Sequence, residues 1–123
     1  MQSSIAAARL GEPQPNADGA TIFEFRFAAD DSMFAGHFPG RPILPGVYQL
    51  EMIRVAAKLV LQGSLAVREI RKAKFQRPIL PGETVQLALK LSNQTGMIQA
   101  HAHFSVIGQS AGEMTLLLWQ IQK

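Results

Sequence analysis

The stretch from Val47 to about Gln62 constrains the fold more than any other part of the chain. Apolar residues recur there at helical spacing. Val47, Leu50, Ile53, Ala57 and Leu61 share one face, and Met52, Ala56, Leu59 and Val60 widen it. The polar stripe is narrow: Glu51, Arg54, Lys58 and Gln62, three or four residues apart. A helix with so little polar surface must be covered on most sides. Gly63 is the expected C-terminal stop. The chain has 123 residues, enough for one core and not for two, so the cover must come from the same domain.

The rest of the chain reads as strand. Phe23, Phe25 and Phe27 alternate with Glu24 and Arg26. Leu65 to Phe75 is one broad strand candidate. Thr84 to Leu91 alternates, with Val85, Leu87, Leu89 and Leu91 on one face. Met97 to Ile107 places Ile98, Ala100, Ala102, Phe104 and Val106 inward, and Met114 to Ile121 is a last, very apolar strand. Turns are expected over 93–96 and 108–112, which makes the last three strands an antiparallel meander. The expected class is α+β, an antiparallel sheet wrapped around one central helix. Residues 1–19, rich in Ser, Ala, Gln, Pro and Gly, read as a loosely ordered leader, with the single domain over 20–123.

Composition removes several kinds of chemistry. With no cysteine, a disulfide scaffold, a thiolate-rich zinc site and a cysteine nucleophile are excluded. No apolar run reaches the roughly 18 residues of a membrane span. No basic segment followed by an apolar stretch opens the chain, so no secretory signal is expected and a cytoplasmic location is. The net charge of +3 comes from 12 basic and 9 acidic residues, and the densest basic stretch, Arg68 to Arg77, is interrupted by Glu69. That is not the clustered charge of a nucleic-acid binder. It reads either as an ordinary solvated strand edge or as a landing patch for an acidic partner.

One hexapeptide occurs twice. Arg41-Pro42-Ile43-Leu44-Pro45-Gly46 leads into the helix, and Arg77-Pro78-Ile79-Leu80-Pro81-Gly82 leads into a strand. The flanking patterns do not match, so these are two rigid turns before two elements and not a structural repeat. The loop from Phe34 to Gly46 holds three prolines and three glycines and can be neither helix nor regular sheet.

That loop carries His37, an imidazole able to take or give a proton near neutrality, just ahead of the helix. Glu51 follows in the second helical turn, as either a catalytic carboxyl or a member of a salt-bridged stripe with Arg54 and Lys58. The helix start at Pro45-Gly46 has free N–H groups and a dipole that favour an anionic oxygen. A base, an acid and an oxyanion site are what proton abstraction beside a carbonyl needs. His101 and His103 lie two apart on one strand face, without an acidic residue in that strand to complete a metal set, and read as a solvent-facing polar pair.

Gly36-His37-Phe38-Pro39, Pro42, Pro45-Gly46-Val47 and Glu51 resemble the signature of the hot-dog-fold 3-hydroxyacyl-acyl-carrier-protein dehydratases. That family reads G-H-F-P-x-x-P, two apolar residues, then P-G-V, with the acid 14 positions after the histidine, as Glu51 is from His37. Phe75-Gln76-Arg77-Pro78 through Pro81-Gly82-Glu83 is similar to the family's F-x-R-P-V-x-P-G-D. The likeness runs from about Phe23 to the C-terminus.

The resemblance implies a hot-dog fold and a lyase that dehydrates 3-hydroxyacyl thioesters on acyl carrier protein to trans-2-enoyl thioesters. It implies His37 as the base for the α-proton and Glu51, from the partner protomer, as the group that protonates or orients the β-hydroxyl. The Gly46 amide would hold the thioester oxygen, with Pro45, Val47 and Phe38 lining the substrate site. A homodimer or higher oligomer follows, as does carrier-protein docking on Arg41, Arg68, Arg71, Lys72 and Lys74. No metal or other cofactor is implied. Three departures stand out. The family's N-terminal stretch has no counterpart in residues 1–19, and the glutamine of its A-M-A-Q is replaced by Val55. Arg54 is new beside Glu51, where an ion pair would oppose proton donation. The first points to a smaller branch similar to the dehydratases of aryl-polyene or other specialised acyl pathways. A non-catalytic acyl or carrier-protein binding module and a hot-dog thioesterase are the alternatives.

Overall fold

The structure is a computed structural model that describes residues 5, 7–28, 44–94 and 96–121. In chain order its elements are β1 (Arg9–Pro15), β2 (Thr21–Arg26), helix α1 (Gly46–Leu61), β3 (Leu65–Phe75), β4 (Thr84–Gln94), β5 (Met97–Val106) and β6 (Gln109–Gln120). The strands form a six-stranded sheet in the order β1-β2-β4-β5-β6-β3, antiparallel throughout. This is the expected α+β arrangement of antiparallel sheet and helix.

Period-two alternation builds the inner face. Phe23 and Phe25 pair across to Leu87 and Val85, Leu87 to Phe104, and Ala102 to Met114. All of these side chains are buried. The rings of Phe23, Phe25 and Phe27 stack along β2 at centroid spacings of 6.5 and 6.4 Å. The helix lays Met52, Ile53, Val55, Ala56 and Ala57 into this face. Ala100 and Ala102 of β5 are fully buried as well, and small residues on both surfaces let helix and sheet approach closely. The helix is not wrapped all round by its own chain: Val47, Leu59 and Val60 remain exposed.

Three local expectations change. Within the leader expected over 1–19, Arg9–Pro15 forms β1 and pairs with β2, and Ile5 and Ala8 join the core. Its proline and glycine are accommodated at a sheet edge, where a missing donor and an irregular register cost little. The helix stops at Leu61, two residues before Gly63, with Gln62 itself in the left-handed region (φ 56°) and its N–H on the Lys58 carbonyl. The turn expected over 108–112 is tighter. Val106 pairs with Gln109 around Ile107-Gly108, both at positive φ (50° and 74°), and Gly112 lies inside β6. A Cβ on Gly112 would lie 2.5 Å from the Lys74 carbonyl, so glycine there lets β3 close against β6.

Ile107 is an unusual residue for that turn. A β-branched side chain at positive φ is strained, and this one is 92% exposed, so no burial offsets the strain. Ile107→Asn is expected to raise unfolding stability by about 1 kcal/mol, measured by denaturant titration. An unchanged or lowered midpoint would contradict this account of the turn.

Candidate functional site

The two copies of the hexapeptide meet. The Leu44 N–H donates to the Ile79 carbonyl at 2.8 Å, and both side chains are buried. Identical strings then diverge. In the first copy, Pro45 is the helix N-cap in an extended conformation, and its carbonyl accepts the N–H groups of Tyr48 and Gln49 at 3.0 and 3.3 Å. In the second, Leu80-Pro81-Gly82-Glu83 closes a turn, with Gly82 at φ 82° and the Glu83 N–H on the Leu80 carbonyl at 3.2 Å. Proline then glycine at positive φ marks a type II turn.

A cavity of about 310 Å³ lies between the copies, lined by Leu44, Pro45, Gly46, Gln49, Phe75, Gln76, Arg77 and Pro78. Phe75 covers the helix start so closely that a Cβ on Gly46 would lie 3.0 Å from its ring. Among the described residues the N–H groups of Gly46 and Val47 have no acceptor. Unpaired amides at a helix start, beside an apolar cavity, suit an oxygen that gains negative charge.

The expected site residues separate. Pro45 and Gly46 line the cavity, while Val47 is exposed and does not. His37, Phe38 and Arg41 lie outside the described residues. Glu51 is two residues beyond Gln49, about 200° around the helix, and therefore faces away from its own chain's cavity. Its Oε1 accepts Nε of Arg54 at 2.8 Å and Nη2 as well, and Arg54 Nη1 donates to the Leu65 carbonyl at 3.3 Å. The pair is only partly exposed, sits at the start of β3, and leaves Oε2 without a partner among the described residues.

Of the basic residues considered for docking, Arg68 lies 5.6 Å over the Trp119 ring, Arg71 pairs with Glu69 at 3.6 Å and Lys72 with Glu113 at 2.6 Å. Arg68 and Arg71 fall where the β3–β6 register slips, so two bulges set their direction. His101 and His103 bond separately to Thr115 Oγ1 (3.0 Å) and Ser110 Oγ (2.9 Å). Among the described residues no cluster of three His, Asp or Glu is placed to hold a metal.

A family model described as ApeI-like, ApeI dehydratase, matches residues 13–114. The chain belongs to the ApeI-like dehydratase family. It is 31% identical to the 3-hydroxyacyl-acyl-carrier-protein dehydratase FabZ of Desulforamulus reducens over 100 residues, 76% of this chain and 70% of that one. With FabZ of Anaeromyxobacter dehalogenans it shares 33% over 79 residues, 56% of this chain and 51% of the relative. The chain thus spans about half the length of that relative. In structure it is similar to a chain of the dehydratase heterocomplex ApeI:P from Xenorhabdus doucetiae, with a TM-score of 0.76 and 23% identity over 91% of this chain and 96% of that one. That likeness shows the hot-dog fold.

Gln49 is not marked as a site residue in the sequence, and Phe75 and Arg77 enter there only as part of the second motif and not as site residues. The signals available were the repeated hexapeptide, which brings Arg77 and Pro78 to the cavity, and a glutamine one turn beyond Gly46 in an otherwise apolar stretch.

Arg77 and Glu83 brace the second loop: Glu83 accepts Arg77 Nη2 and the Leu80 N–H, each at 2.8 Å. Burial pushes the Glu83 carboxyl up, but the Arg77 hydrogen bond, the Leu80 N–H and the Arg77 charge outweigh it and hold it below the ordinary glutamate value. A lowered folded-state pKa gives stability that is present above about pH 4.3 and is lost as pH falls through the folded value. Glu83→Gln is therefore expected to lower the thermal midpoint at pH 7, with the gap to the parent narrowing toward pH 3. A gap that widens on acidification would contradict the sign.

Proposed function

We propose that the chain dehydrates 3-hydroxyacyl thioesters carried on acyl carrier protein, as a homodimer with two shared sites. The observation that supports this best is the Gly46 amide, without an acceptor among the described residues, at an apolar cavity in a chain of the ApeI-like dehydratase family. His37 removes a proton from C2. The Gly46 N–H holds the thioester oxygen as charge develops on it, the C3–O bond breaks as the C2–C3 double bond forms, and the departing hydroxyl takes the proton held on His37. The products are a trans-2-enoyl thioester and water, so atoms balance without a redox partner or cofactor. Glu51, with Oε1 committed to Arg54, uses Oε2 to orient the β-hydroxyl. The reading includes a cytoplasmic location. Among the described residues no helix is long and apolar enough to cross a membrane.

Geometry supports sharing between chains. Glu51 faces away from its own cavity and toward the Leu65 end of β3, whereas Phe75, at the other end of β3, covers that cavity. β3 is an edge strand whose outer side has no strand partner among the described residues. Two-fold antiparallel pairing of β3 edges sets the Leu65 end of one chain beside the Phe75 end of the other. Each Glu51 is then delivered to the opposite cavity, and exposed Ile70, Phe75 and Val47 gain cover. The carrier protein, being acidic, docks on Arg68, Arg71, Lys72 and Lys74 of β3, with Arg41 as a further docking residue.

His37→Ala and Glu51→Gln are each expected to lower dehydration of a 3-hydroxyacyl carrier substrate by about 100-fold or more, followed by mass, with the dimer intact. Refolding the two variants together is expected to restore about a quarter of parental activity. Half the dimers are then mixed, and each mixed dimer holds one unaltered site. No recovery would place His37 and Glu51 in the same chain's site. The Glu51–Arg54 pair favours one second reading, a non-catalytic binding module. Carrier protein bound with no enoyl product in the parent would establish it.

A further inference from the structure

Three polar side chains line the cavity, and two of them are committed. Arg77 is held by Glu83, and Gln76, itself exposed, accepts the Ser110 hydroxyl. Gln49 is different. It is 4% exposed, the one buried polar side chain among the described residues, and its carboxamide has no protein partner there. Burying a free amide costs stability unless something supplies its hydrogen bonds. No buried polar atom of the described residues is both sealed from the outside and unpartnered, so the Gln49 amide keeps contact with the cavity it lines.

We propose that Gln49 recognises the 3-hydroxyl group of the substrate acyl chain. This rests on the dehydratase reading above and adds a specificity-determining residue to it. Gly46 and Gln49 are three residues apart, on one side of the helix and about 4.5 Å apart along its axis. The thioester oxygen and the 3-hydroxyl oxygen stand on carbons two bonds apart along the acyl chain. A backbone N–H can only donate, which suits the carbonyl oxygen at the helix mouth. A carboxamide both donates and accepts, which suits a hydroxyl one turn deeper. Nε2 of Gln49 donates to the hydroxyl oxygen, leaving the hydroxyl proton for Oε2 of Glu51 across the interface. The remaining wall, Leu44, Pro45, Phe75 and Pro78, offers no hydrogen-bonding side chain, so a saturated acyl chain entering the cavity leaves Gln49 unpaired.

The experiment compares two non-reactive ligands by calorimetry: a 3-hydroxyacyl pantetheine in which an amide replaces the thioester, and its 3-deoxy counterpart. The parent is expected to bind the hydroxylated ligand about 10-fold more tightly, the size of one hydrogen bond plus the cost of an orphaned amide. Gln49→Met, close in volume, is expected to bind both within about twofold and to raise the thermal midpoint of the unliganded protein, because an uncompensated amide has gone. A structural role for Gln49 would lower that midpoint. Gln49→Leu is the second variant should the first not fold. Discrimination retained in the variant, equal affinities in the parent, or binding of neither ligand overturns the proposal. Failure of the dehydratase reading is separate: absent turnover with discrimination lost in Gln49→Met leaves Gln49 as the recognition residue of a binding protein.

Discussion

The molecule is organised by the need to bury one almost wholly apolar helix. Its inward face, Met52, Ile53, Val55, Ala56 and Ala57, fits a sheet whose inner rows are phenylalanine, leucine and alanine. Fixing the helix body also fixes its ends, because each residue advances the axis by about 1.5 Å. The N-terminal end comes to rest where the first proline hexapeptide touches the second. Proline in both loops limits the conformations lost on folding. The Leu44–Ile79 hydrogen bond ties one loop to the other, and the Arg77–Glu83 pair braces the second against its own turn.

Most of the fold was legible because its signals were periodic. Alternation in Phe23–Phe27, Thr84–Leu91 and Met97–Ile107, and the 3.6-residue repeat from Val47 onward, each survive into the structure. What failed were the places where a weak local preference met a stronger tertiary demand. Residues 9–15 hold glycine and two prolines and look unstructured alone, yet the open edge of β2 recruits them. Gly112 looks like a turn glycine and is a packing glycine, because its missing side chain leaves room for the Lys74 carbonyl. Ile107 sits at positive φ because the register of β5 on β6 leaves only two residues for the connection.

The site was legible in a different way. His37, Gly46 and Glu51 stand out as a base, an oxyanion site and an acid around one loop and helix start, and the resemblance of a spaced motif is what gives each an expected catalytic role. The structure adds direction, which a motif lacks. Gly46 and Gln49 face one way and Glu51 the other, so a spacing that looks like one site in sequence is divided between two sides of a helix. In sequence Gln49 shows only as a glutamine one turn beyond Gly46 in an otherwise apolar stretch. Its meaning comes from burial without a partner, a property of the surroundings and not of the residue.

Two features that look unfavourable in an isolated chain share one explanation in the proposed homodimer. Val47, Leu59 and Val60 leave apolar surface on the helix, and β3 leaves a long strand edge with Ile70 and Phe75 exposed. An open edge invites pairing with any other strand unless it is charged or bulged. Here both devices are present: β3 carries Arg68, Arg71, Lys72 and Lys74 and slips register twice against β6. Those charges discourage indiscriminate pairing. In the proposed two-fold pairing, with Leu65 beside Phe75, the Glu69 of one chain comes opposite the Arg71 of the other. In the proposed homodimer this edge is selective about what completes it, and the direction of Glu51 away from its own chain's cavity gives that selectivity a chemical consequence.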